Sequence, residues 1–537
     1  MNKSRIFRAS LVASFVITLP FLANAQKANW QNLDLKTDSV FGIGTEKAYK
    51  ELLKGKKSTK VIVAVNDGGV ESTHEDLKRI MWVNTKEIPG NGIDDDKNGY
   101  IDDINGWNFI GGLKGSVDHE TLELTRLVRR DQVRFANTTD ANVSEKDKNA
   151  FEAFKIERSD LETQLGEANA NLSGLNGFKA ALDAVVKKIG KTNPTAEDFA
   201  NFKPVTNADA RIQEVLADEL KKGSFADFYN EQITEGVKYY TEQIEYNLNV
   251  SYDPRSIVGD DQNNDTEKFY GNNDVAGPDA MHGTHVAGII AADRTNKLGI
   301  MGVADNVAIM AVRCTPNGDE RDKDVANGIR YAVDNGAKVI NMSFGKAYSW
   351  NKAVVNEAMK YAASKDVLIV QAAGNENKDI DKENNFPNHK DLDEKTISSW
   401  ITVGASGSKD DETLKASFSN FGKTQVDVFA PGVKIHSTIP GSKYKDLDGT
   451  SMASPVVAGL AGLIRSYYPK LSAAQVKEII VKSVTKVNHN VDYKKGEEPD
   501  APKVSVPFAD LSISGGVVNA YNALKLAATY EGKSITK

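Results

Sequence analysis

The sequence predicts an α/β fold, a doubly wound parallel sheet with helices on both faces, interrupted by an inserted α-helical subdomain. Three observations lead there. Short apolar, β-branched runs recur between glycine or polar boundaries, the pattern of strands buried on both faces. Helical patterns lie between these runs, and strand–helix alternation implies a parallel sheet whose site lies at the carboxyl ends of the strands. One long, charged stretch follows the helical period alone and breaks the alternation.

The expected strands are 61–65, 308–313, 338–341, 367–370, 400–403 and 426–429, with helices at 325–333, 353–362, 452–468 and 518–528. In the interrupting stretch, 123–250, Phe151, Phe154, Leu161, Leu165 and Leu172 fall at helical spacings, followed by Phe178, Leu182, Val185 and Ile189. Tyr229, Ile233, Val237, Tyr240, Ile244 and Leu248 form a further stripe, so a bundle of three to five helices is expected, with exposed charged faces suited to a lid or a protein partner. The main domain is then 60–122 together with 251–530.

Lys3, Arg5 and Arg8, an apolar run over 11–22 and Ala23-Asn24-Ala25 have the three zones of a secretory signal, 1–25. The chain is expected to be exported, periplasmic or secreted, with a short extension over 26–59. The apolar run falls short of the roughly 20 residues that span a bilayer, so no membrane span is expected after signal removal. Cys314 excludes an intramolecular disulfide, because it is the only cysteine, and reads as a small buried hydrophobe. The net charge of -7 and the lack of a Lys/Arg-rich cluster argue against nucleic acid as a partner.

Three segments carry chemistry. In VAVNDGGVESTHEDL, Asp67 ends an apolar strand and precedes two glycines, a place suited to receive an imidazole hydrogen bond and fix its tautomer. In MHGTHVAGIIAA, His282 opens a helix of small residues. In DGTSMASPVVAGLAGLI, Ser451 opens a long apolar helix with Pro455 expected in its first turn, where N–H groups can face a developing oxyanion. A serine hydroxyl is a poor nucleophile until a base takes its proton, so the constellation matters more than any one residue.

In this chain order the motifs resemble those of the subtilisin-like serine peptidases, the subtilases of peptidase family S8. The resemblance covers 60–109 and 255–525. It implies a subtilisin-like sheet and a serine endopeptidase acting on proteins or peptides, with no cofactor for catalysis. Asp67 would orient His282, His282 would serve as base and then acid, and Ser451 would attack the scissile carbonyl. On the tautomer argument Asp67→Asn is expected to lower kcat by about 10⁴. His285 is expected to be structural. In VLIVQAAGNEN, Asn375 stands where the family places the side-chain donor of its oxyanion hole. Ser343, Phe344 and Gly345, with Ala372, Ala373 and Gly374, match the two backbone segments that pair with substrate as an added strand. Asn385 matches the base of the pocket between them and would make it shallower. Two positions depart from the family: Asn66 replaces an aliphatic residue, and Gly68 replaces a Ser or Thr that could bond Asp67. They motivate a second reading, a catalytically weak scaffold that binds peptides or a protein partner.

NGIDDDKNGYIDD places Asp94, Asp96 and Asn98 at alternate positions, then Gly99, the Tyr100 carbonyl and Asp102. Hard oxygen donors at this spacing around a glycine turn suit a structural Ca²⁺. The twelfth position is Asn105 rather than Glu, and the plainer reading is a solvated acidic turn.

Overall fold

The computed structural model describes residues 29–494 and 501–531, so the expected signal peptide lies outside it. Residues 124–253 form one compact unit and the remaining described residues form another.

The larger unit is built on nine strands. In chain order they are β1 (Val61–Asp67), β2 (Gly106–Asn108), β3 (Val307–Arg313), β4 (Val339–Met342), β5 (Leu368–Ala372), β6 (Trp400–Ser406), β7 (Val428–Pro431), β8 (Thr485–Lys486) and β9 (Gly516–Val517). Their spatial order is β8-β9-β7-β6-β5-β4-β1-β3-β2, and every pairing is parallel except β8 with β9. β1 lies between β3 and β4, with Asp67 opposite Arg313 and Asn66 opposite Met342.

Strand alternation divides the side chains between two cores. Val61, Val63 and Val65 join the core built with α1 (Met281–Ala291) and α4 (Thr450–Tyr467). Ala64, Met310 and Val312 face the core built with α2 (Asp322–Asp334) and α3 (Lys352–Ser364). Helices thus cover both faces, and the ends of β1, β4 and β5 converge on one edge, as the sequence pattern implies.

Some elements differ from the expected ones. The apolar run at 426–429 becomes Val428–Pro431, because the Val426 N–H turns back to the Gly422 carbonyl at 3.1 Å. The hairpin Ile435–Ile439/Lys443–Leu447 escaped the apolar pattern, its second strand being largely exposed. The described part of the N-terminal extension is an integral part of the main core: Trp30, Ile43, Ala48 and Leu53 are buried in it. In the smaller unit both early apolar stripes run on one 42-residue helix, Lys148–Ile189. Its three glycines, Gly166, Gly174 and Gly177, cost about 1 kcal/mol each relative to alanine but do not end it. Leu182 and Val185 pack with Phe199, Ile212, Leu216 and Ile233. At the base of this unit Thr125 Oγ1 donates to the Asn247 carbonyl and Arg129 Nη1 to the Tyr252 carbonyl, each at 2.7 Å. Among the described residues no helix is long and apolar enough to cross a membrane.

Candidate active site

Asp67 ends β1 with its side chain buried. Its Oδ1 accepts from the Gly68 N–H and from His282 Nδ1, each at 2.7 Å. Its Oδ2 is buried without a hydrogen-bond partner. The same strand end holds Asn66, fully buried with both amide atoms unpartnered. The Gly68 carbonyl accepts from Arg313 Nε at 2.7 Å, and the guanidinium also donates to the Asn108 side chain and the Val117 carbonyl. Burial pushes the Arg313 pKa down to about 10. Gly277 is required beside it, since its φ is +64° and a Cβ would lie 2.2 Å from Arg313 Nε.

His282 lies in the first turn of α1, and its side chain is 41% exposed. Burial of part of the ring disfavours the imidazolium, but the Asp67 carboxylate outweighs it and holds the pKa above the ordinary histidine value. His285 donates from Nε2 to the Lys445 carbonyl of the hairpin at 3.0 Å. Burial pushes its pKa down to about 4, so it is neutral there and ties α1 to the hairpin.

Ser451 follows Thr450, the first residue of α4, which places Pro455 beyond the first turn rather than within it. The reason is visible in the bonding. Proline has no N–H for the carbonyl four residues back, and that carbonyl, of Ser451, instead accepts from Ser343 Oγ at 2.9 Å. Ser451 Oγ in turn donates to the Ser343 carbonyl at 3.0 Å. Among the described residues no hydrogen bond joins Ser451 to His282. Such bonds are often loose without substrate and tighten when it binds.

Asn375 follows β5 through Gly374, whose φ is +101° and whose Cβ would lie 2.4 Å from Asn420 Nδ2. The Asn375 Oδ1 accepts from both the backbone N–H and the hydroxyl of Thr450, each at 2.9 Å. Its oxygen is therefore committed next to Ser451 and its NH₂ is left as the donor. Sequence reasoning missed Thr450, whose place in the motif gave no sign of this bond.

Ser343, Phe344 and Gly345 continue β4, and Ala372, Ala373 and Gly374 run from the end of β5. Asn385 lies between the two segments. Its Nδ2 donates to the Ala373 carbonyl at 3.3 Å, and a Cβ on Gly345 would lie 2.9 Å from its Oδ1.

In the acidic loop, oxygens of Glu87, Asp94 and Asp96 lie within 4.8 Å of one another, a set of hard donors that fits a divalent cation such as Ca²⁺. Glu87 was missed because it precedes the motif and has no spacing signature. Asp102 is turned elsewhere: its two oxygens accept from Gly90 and Gly92 N–H, each at 2.8 Å. Asn98 Oδ1 accepts from Tyr100 N–H at 2.8 Å, and its Nδ2 donates to Asp103. Burial raises the Asp103 pKa despite bonds from Tyr331, Asn84 and Asn98.

A model described as the subtilase family matches residues 58–497. The chain belongs to the subtilase family. This subtilase is 38% identical over 244 residues to a thermophilic serine proteinase of Bacillus sp. (strain AK1), a match covering 45% of this chain and 52% of that one. It is 41% identical over 213 residues to thermitase of Thermoactinomyces vulgaris, covering 40% and 70% of the two chains. It is 39% identical over 217 residues to subtilisin DY of Bacillus licheniformis, covering 40% and 74%. The match spans about half the length of the first relative and roughly three quarters of the other two.

Proposed function

We propose that this subtilase is an exported serine endopeptidase that hydrolyses protein substrates through an acyl-enzyme on Ser451. The observation that carries the reading is the bond from His282 Nδ1 to Asp67 Oδ1 at 2.7 Å. It commits the Nδ1 proton to Asp67, so that Nε2 is the basic nitrogen. In the reaction Ser451 Oγ gives up its bond to the Ser343 carbonyl, passes its proton to His282 and attacks the scissile carbonyl. The NH₂ of Asn375 and backbone N–H groups at the start of α4 receive the oxyanion. His282 then protonates the leaving amine, and water completes the hydrolysis by the same path.

The substrate would lie extended against 343–345 and 372–374, with Asn385 limiting the depth of the pocket between them. Glu87, Asp94 and Asp96 would hold a structural Ca²⁺, which stabilises the loop and takes no part in the reaction.

The unpartnered Asp67 Oδ2 and the Ser451 hydroxyl bound to Ser343 favour the second reading, a weak enzyme that chiefly binds peptides. A fluorophosphonate probe separates the two. Covalent labelling of Ser451, lost in Ser451→Ala and His282→Ala, is the expected result. An unlabelled serine in folded protein refutes the endopeptidase.

A further inference from the structure

The segment that would receive substrate, 343–345, is fixed upstream by β4 and at its middle by the paired bonds between Ser343 and Ser451. Its downstream end is held by Lys346. The Lys346 N–H donates to the Phe386 carbonyl at 2.9 Å, and the Phe386 N–H donates to the Lys346 carbonyl at 2.8 Å. The side chain, 1% exposed, turns inward. Its ammonium donates to Glu123 Oε2 at 2.6 Å, to Asp322 Oδ1 at 2.8 Å and to the Glu320 carbonyl at 2.6 Å.

Neither carboxylate is loosely placed. Glu123 is itself buried, and its N–H donates to Asp319 Oδ2 at 2.8 Å. The second oxygen of Asp322 accepts from Ser349 Oγ and from Asn351 N–H, each at 2.7 Å. The cluster therefore ties the end of the substrate segment to the first turn of α2 and to the first residue of the helix Glu123–Arg134.

A buried ion cluster is weak evidence for stability, because an apolar set of the same volume serves as well or better. What it supplies is a defined position. A single ammonium shared among three fixed acceptors permits few placements of its own backbone, and that backbone continues the substrate segment.

We propose that Lys346, held by Glu123 and Asp322, is a positioning residue that keeps 343–345 aligned as a template strand for the substrate backbone. The proposal rests on the endopeptidase reading for its substrate. It also makes peptide affinity sensitive to how the residue that begins the inserted helices is seated.

The test compares Glu123→Gln and Lys346→Met, each in the full chain, with Ser451 intact and with Ser451→Ala. Glu123→Gln is nearly isosteric and serves where Lys346→Met does not fold. Amide exchange over 339–348 is expected to quicken by about tenfold as the anchor is lost. Fluorescein-labelled casein is expected to bind the Ser451→Ala forms about fivefold more weakly, since an extended chain pairs poorly with a mobile edge. With Ser451 intact, KM for casein should rise by the same factor while kcat changes by less than about twofold. Unchanged exchange, unchanged casein affinity, or a fall in kcat equal to the rise in KM each overturns the proposal. A parent chain that binds casein but does not hydrolyse it removes the endopeptidase reading while exchange and affinity still judge Lys346. A parent that does not bind casein at all overturns both.

Discussion

Replacing Asp67 by asparagine separates two contributions of a carboxylate to a neighbouring imidazole, the tautomer it selects and the charge it supplies. The sequence motif alone leads to a loss of about 10⁴ in kcat through the wrong tautomer. The bonding pattern leads to a smaller one. Asp67 Oδ1 takes two donors, Gly68 N–H and His282 Nδ1, while Oδ2 takes none. An asparagine amide must put its oxygen where both donors point, because an NH₂ group there would face the Gly68 N–H. Its nitrogen then falls at the unpartnered position, and His282 keeps its Nδ1 proton. What disappears is the negative charge. Hydrogen bonds to charged groups contribute about 1.5–3 kcal/mol against about 0.5–1.5 for neutral ones, a difference of about 1–1.5 kcal/mol. His282 is 41% exposed, and solvent screening favours the lower figure. The expected loss in kcat/KM is about 5- to 12-fold. The acidic limb of the profile should also move to lower pH, since Asp67 is what holds the His282 pKa up. The assay is kcat/KM for a chromogenic peptide between about pH 5 and 9, where the profile reports the free enzyme's base. A loss near 10⁴ with unchanged circular dichroism would refute the amide orientation argued here.

Asn375→Ala should lower kcat by about 10²- to 10³-fold in steady-state peptide hydrolysis. Thr450→Val removes both bonds of the hydroxyl, the one it donates to Asn375 Oδ1 and the one it accepts from the Gly374 N–H, and should cost about tenfold or more, on the order of one to two hydrogen bonds. EDTA should lower the melting temperature of calcium-loaded protein, and Glu87→Gln should shrink that shift, because a ligand bound only by the folded state stabilises it. Lys415 is buried with its ammonium beside the packed rings of Phe421 and Tyr493, and burial lowers its pKa to about 7. The unfolded chain keeps that proton up to about 10.4, so it binds more protons in the interval between and stability rises with pH from about 7 to about 10. Urea melts across that window should show the rise, and Lys415→Met should flatten it.

Most of the sheet was legible because its central strands are apolar and buried on both faces; β2, β8 and β9 were not, since two or three residues carry no period. Asp67, His282 and Ser451 stand in motifs that place a polar residue at an element end, whereas Asn375 is marked only by the family resemblance. The pairings that refine these positions carry no such mark. Thr450 hides in a helix start, Arg313 and Lys346 reach their partners across the fold, and Glu87 joins Asp94 and Asp96 only after the loop closes. Pro455 lies beyond the first turn because α4 begins at Thr450, a boundary that the apolar pattern does not mark.

The bonds from Thr125 to Asn247 and from Arg129 to Tyr252 bear on how the chain finds its fold. β1 must pair with β3 across a loop of about 240 residues, and closing it costs about 0.7 kcal/mol more than a loop of about 110 would. Helices make local contacts and form early, whereas distant parallel strands pair late. Once its base is stitched, the inserted unit shortens the loop that remains to be closed. The central strands then search for each other almost as though the insertion were absent.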